Sequence, residues 1–213
     1  MRKYSAYGLL LESELQLFAL PEIESERRVD ANIIRGAIEA PDKQYLRIGP
    51  FCNVGHEYCY LKIPGVMKMR VQSGREICVD PMPGLDKETV SAFVLSTAIP
   101  TLLLQRGLLV LRGAALQSDK DTILLCGRSV SWTNTLSVFL KEKKYKLVSG
   151  HYIVFNRLGS IETGIPQVYL SESSLKLLRL EREDLREIRP GVSHFIFPYS
   201  TTAFKPEVSP RKM

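Results

Sequence analysis

Short apolar segments broken by turn residues dominate the first part of the chain. Residues 7–11 form an apolar run closed by Glu12-Ser13-Glu14, and residues 29–35 alternate before Gly36. Segments 58–63, 66–71 and 76–79 are rich in β-branched and aromatic residues and are separated by Pro64-Gly65 and Ser73-Gly74. This spacing predicts strands joined by tight turns. After Pro81-Met82-Pro83-Gly84 the period lengthens. Asp86 is placed to cap a helix that runs through apolar positions to Gln105-Arg106-Gly107, where glycine is a good stop. Pro100 inside that run predicts a kink, because its ring removes a backbone donor.

From Gly107 the pattern turns to strands again. Residues 108–111 and 114–116 read as one buried strand, and 122–126 as another after a polar turn. A loop over 127–134 leads into a helix expected over 135–141. Strands are expected over 145–148 and 152–155, on either side of Ser149-Gly150-His151. The last part predicts helices over 171–178 and 181–188 and a strand over 194–197. These elements divide the chain into a β-rich portion, 1–85, and an α/β core, 86–213.

Composition narrows the class. The chain has 213 residues, 45% hydrophobic and 24% charged, the proportions of an ordinary folded chain and not of a disordered, collagenous or coiled-coil one. The most apolar window, 90–104, is interrupted by Ser91, Ser96, Thr97 and Pro100, so no membrane association is expected. The basic start Met1-Arg2-Lys3 meets Glu12 and Glu14 too early for a secretory signal, and the cytoplasm is the expected compartment. Four cysteines are too few for a disulfide scaffold. The net charge of +6 is spread along the chain; its densest patch, Lys141, Lys143, Lys144 and Lys146, lacks the interleaved aromatics of a base-stacking surface. No nucleic-acid partner is expected.

The order strand, glycine, loop, helix around Gly127 is the layout of a phosphate-binding loop. A working loop reads G-x-x-x-x-G-K-[ST]. Here Gly127-Arg128-Ser129-Val130-Ser131 is followed by Trp132, Thr133 and Asn134 in place of the second glycine, the lysine and the hydroxyl residue.

Flanking segments carry a resemblance. Tyr4-Ser5-Ala6-Tyr7-Gly8-Leu9 with Ser13-Glu14 and Leu20-Pro21-Glu22, then Gln105-Arg106-Gly107 leading to Leu111-Arg112-Gly113-Ala114-Ala115-Leu116, then Leu125-Cys126-Gly127-Arg128-Ser129, then Leu147-Val148-Ser149-Gly150-His151, occur in the order seen in HPr kinase-related proteins. The chain resembles the short members of that family over most of residues 4–170. The resemblance implies a PEP carboxykinase-like P-loop core with a mixed sheet and flanking helices. It also implies ATP and Mg²⁺ as cofactors wherever the chemistry survives, a peptide or small protein as partner, and an oligomer or pairing with a related subunit.

The departures are consistent. Phosphoryl transfer rests on positioning and electrostatics. Thr133 is neutral, Asn134 is a poor magnesium ligand, Gly150 and His151 stand where the family has its acidic pair, and Arg112 replaces a histidine. The expectation is a degenerate, non-catalytic relative that binds a peptide or protein and needs no cofactor. The alternative is an active serine kinase acting on a precursor peptide, with Lys120 or Arg128 replacing the lost lysine. Arg112 and Lys120 are the possible anion contacts.

Three further constellations carry candidate chemistry. Cys52-x-x-x-His56-x-x-Cys59 with Cys78 has the donor types of a zinc site, but its spacing is unusual and Cys52 and Cys59 were expected on different faces of a sheet. Ser149 with His151 or His194 lacks a nucleophile-elbow pattern. Finally, Tyr169, Leu170, Phe195, Phe197, Tyr199 and Phe204, with Arg182, Arg186 and Arg189, could form a partner surface in the last part of the chain.

Overall fold

The computed structural model describes residues 1–41, 46–48, 50–119, 121–127, 129–183, 185–188 and 193–198. The chain is mixed α/β and divides into two compact units, Met1–Leu108 and Leu109–Met213.

The first unit is built on an eight-stranded sheet in the order β1-β2-β3-β8-β7-β6-β5-β4. Its strands are β1 (Arg2–Ala6), β2 (Leu9–Ser13), β3 (Ala31–Arg35), β4 (Leu46–Ile48), β5 (Cys52–Gly55), β6 (Tyr58–Ile63), β7 (Met67–Gln72) and β8 (Glu76–Pro81). The β2/β3 and β3/β8 pairs are parallel and the others antiparallel. Tyr7 is a turn residue and not the start of a strand: Tyr7 (φ 54°) and Gly8 (φ 75°) both take the left-handed conformation that a two-residue hairpin demands. Tyr7 is nonetheless buried, so its apolarity reflects burial and not extension.

The helical run after Asp86 belongs to this unit. It comprises α1 (Lys87–Phe93), one π turn (Val94–Ala98) and α2 (Ile99–Gln105), packed against β7 and β8. Asp86 caps it as expected, accepting hydrogen bonds from Thr89 N at 2.7 Å and Thr89 Oγ1 at 2.6 Å. The wide π turn sits directly before Pro100, where a proline ring crowds the carbonyl four residues back. The run is long and apolar enough to cross a membrane, yet 61% of its most apolar window is buried in the structure, as in a core helix. Its buried residues include Val90, Val94, Leu95, Ile99, Leu102 and Leu103.

The second unit centres on β9 (Leu109–Gln117). On one side it pairs with β10 (Thr122–Cys126). On the other lie β11 (Lys146–Ser149) and β12 (Tyr152–Phe155), all antiparallel to it. Between β10 and β11 runs α3 (Val130–Glu142). A second sheet, β13 (Gln167–Ser171), β15 (His194–Pro198) and β14 (Arg186–Glu187), ordered β13-β15-β14, follows with α4 (Glu172–Leu178). The core of this unit joins Ala114 and Leu116 of β9, Val138 of α3, Leu147 of β11, Val168 and Leu170 of β13, Leu175 of α4 and Phe195 of β15.

Two helix expectations are corrected here. α3 starts at Val130, one turn before the expected residue 135, because Ser129 adopts an extended N-cap backbone (φ −99°, ψ 104°) and Ser131 is tied to Ser171 by hydroxyl contact at 3.0 Å. The described part of 181–188 is not a helix. Arg179 (φ 54°) ends α4 in the left-handed conformation, and Arg186 and Glu187 pair instead with Ile196 and Phe195.

Candidate functional site

The region that corresponds to a phosphate loop joins β10 to α3. Gly127 and Ser129 are exposed, and Thr133 is half-buried with its N–H bonded to the Ser129 carbonyl. Arg128, the Val130 side chain and Lys120 lie outside the described residues. Asn134 is turned inward: it is 1% exposed and its Nδ2 donates to the Tyr169 carbonyl at 2.8 Å. Ser131 and Thr135 face α4, where Thr135 Oγ1 is 2.7 Å from Ser174 Oγ and Ser131 Oγ is 3.3 Å from it. The polar side chains of this first turn are thus spent on holding α3 to β13 and α4.

Gly150 and His151, where the resemblance puts an acidic pair, form the link between β11 and β12, just after a register shift between Leu147 and Ser149. β11 and β12 both pair with β9, and Gly150-His151 lies between them, with the Gly113 N–H donating to the His151 carbonyl at 3.0 Å. A side chain at Gly150 would collide with the Gln167 carbonyl, so only glycine fits that approach. His151 takes φ 67°, is 6% exposed, and stacks on Tyr169 with ring centroids 4.0 Å apart. Burial first, then the nearby Arg112 charge, depresses its pKa to about 3, so the ring is neutral. Its Nε2 and the Asn134 Oδ1 are buried without hydrogen-bond partners. Arg112 itself is exposed, opposite Tyr152 on β12.

Trp132 does not fill the space between these parts. It lies in the first turn of α3 and is 69% exposed, and Leu136 and Phe139 share its face at 43% and 46%. Spacing of i, i+4 and i+7 makes these three one apolar stripe on the helix. Lys143 continues the stripe, its Nζ 5.7 Å from the Phe139 ring centre. A helix counted from residue 135 leaves Trp132 outside the register that links it to Leu136 and Phe139.

The other candidates resolve differently. Register pairs Cys52 with Leu61 and Val54 with Cys59, so Cys52 and Cys59 share one face, contrary to expectation. The two-residue link His56-Glu57 restores the alternation that simple counting breaks. Burial first, then the adjoining Cys52 thiol, pushes Cys59 up to about 12. Cys78 lies on β8, its Sγ 3.8 Å from the Gly36 carbonyl. Among the described residues no three His, Cys, Asp or Glu side chains converge as metal ligands. Ser149 donates to the Tyr152 carbonyl and not to a histidine. Leu170 and Phe195 are core, Tyr169 and Phe197 are partly buried, and Arg182 is paired with Glu172 and Glu187. The structure leaves Arg186 exposed in β14, whereas Tyr199, Phe204 and Arg189 lie outside the described residues.

Compared with protein-family models, curated proteins and solved structures, the chain gives no match.

Proposed function

We propose that this protein is a catalytically degenerate relative of the HPr kinases that acts in the cytoplasm by binding a peptide or small protein through α3. One observation carries the reading: Trp132, Leu136 and Phe139 stand exposed in helical register at the place where the resemblance puts nucleotide chemistry. Aromatic and aliphatic groups of this size are costly to leave in water, and aligned on a helix they form an anchor face for a partner. The flank of that face selects the partner's charge. Lys141, Lys143, Lys144 and Lys146 follow it, with Glu142 the one acid between 130 and 146. The partner is a segment with apolar anchors and acidic neighbours. The proposal requires neither ATP nor Mg²⁺, since Thr133, Asn134, Gly150 and His151 supply no cation for phosphate and no carboxylate for metal.

A peptide display library selected on the wild-type protein tests this. Enriched sequences should pair aromatic or leucine anchors with Asp and Glu. Binding of the selected peptides should weaken tenfold or more with Phe139→Glu, and several-fold with Lys143→Glu in low salt. Peptides that bind the Phe139→Glu variant undiminished would overturn the assignment of the surface.

A further inference from the structure

The first unit carries a separate feature where three strand ends meet. Arg2 opens β1 opposite Ser13, which closes β2, and Ser13 in turn pairs with Ile33 two residues before Arg35 closes β3. Antiparallel and parallel pairing therefore bring Arg2, Glu14 and Arg35 to one end of the sheet. Lys87, the first residue of α1, joins them, and Leu15, Gln16 and Val90 complete the lining of a cavity of about 150 Å³.

The charges of this cavity are unbalanced. Glu14 is its one acid, and its Oε2 accepts the backbone N–H of Arg35 at 2.7 Å. Arg2 is held by Glu22 outside the cavity, Nε to Oε1 3.1 Å. Among the described residues neither Arg35 nor Lys87 has an ion-pair partner. Arg2, Arg35 and Lys87, from three elements, thus line the cavity with one acid, Glu14, beside the buried Val90. Guanidinium forks recognise oxyanions with paired donors, and a lysine adds a point charge.

We propose that this cavity binds a small solute through an oxyanionic group such as phosphate, independently of the partner surface on α3. With Arg2 paired to Glu22, and Arg35 and Lys87 set against Glu14, one positive charge is left over to favour a small oxyanion, and the volume excludes a whole nucleotide. Arg35 and Lys87 are the principal contacts, Arg2 closes one side, and Glu14 limits affinity by repulsion.

Inorganic phosphate is the probe, titrated calorimetrically into the full chain against chloride at matched ionic strength. Phosphate should bind saturably at millimolar concentration or below, and chloride should not. Arg35→Gln with Lys87→Gln should weaken binding at least tenfold. Glu14→Gln keeps an acceptor for the Arg35 N–H while removing the opposing charge, so it should tighten binding several-fold. That increase could not come from a variant that had merely lost its fold. Equal heats with chloride, undiminished binding in the double variant, or no gain with Glu14→Gln would each overturn the proposal.

Discussion

At the scale of single residues, His151 joins the most unfavourable circumstances: left-handed backbone, full burial, and a ring nitrogen with no partner. Its neutral form is the one the fold accepts. The folded pKa of about 3 lies below the ordinary 6.5, so the unfolded chain takes up a proton that the folded chain refuses. The stability this group contributes is therefore whole above 6.5 and is lost as pH falls from there toward 3, by at most ~1.4 kcal/mol per pH unit. His151→Asn tests this, since asparagine tolerates the left-handed backbone and does not titrate. The variant should be less stable at neutral pH for want of the Tyr169 stacking, yet its urea midpoint should fall less steeply between pH 6.5 and 4. Parallel pH profiles for variant and wild type would place the acid sensitivity elsewhere.

At the scale of elements, the start of α1 shows how far local sequence reaches. Asp86 was legible as a cap because an acidic residue before an apolar period has one physical use there, and the geometry agrees. Asp86→Ala should cost ~1–2 kcal/mol, the loss of one N-cap and of a partner for the buried Thr89 hydroxyl. Asp86→Asn should recover much of that in chemical denaturation, whereas an equal loss for both variants would show that charge and not capping matters. Other boundaries were not legible, for the same physical reason in each case. Tyr7 has the composition of a strand, and only the hairpin's twist makes it a turn. The start of α3 is fixed by hydroxyl contacts to Ser171 and Ser174, forty residues or more away. Residues 186 and 187 are strand because β15 offers them backbone partners, which local propensity does not record.

At the scale of the whole molecule, the sequence announced that the chemistry of a phosphate loop is missing, but not what its residues do instead. Thr133 and Asn134 are neutral on inspection. That Asn134 bonds to β13, that His151 stacks on Tyr169, and that Arg35 and Lys87 line one cavity depend on chain reversals no window can see. This distribution bears on whether phosphoryl transfer could be introduced by local changes. Thr133→Lys with Asn134→Ser would rewrite the loop toward its working form. It would also remove the Asn134 bond to Tyr169, while leaving Trp132 where a glycine should be and no carboxylate at Gly150 or His151. Positioning and charge at several elements act as a unit in phosphoryl transfer, so a partial repair should give nothing. The double variant, incubated with labelled ATP and Mg²⁺, should transfer no phosphate to itself or to a bound peptide. Trp132 offers a local reading of the same question, as the single tryptophan of the chain and an exposed neighbour of the loop. Its emission should stay unchanged as ATP and Mg²⁺ rise to millimolar levels, in wild type and variant alike. A saturable change in that emission would mean that the loop still holds nucleotide, and any labelled product would make the chain a kinase with a rewired site.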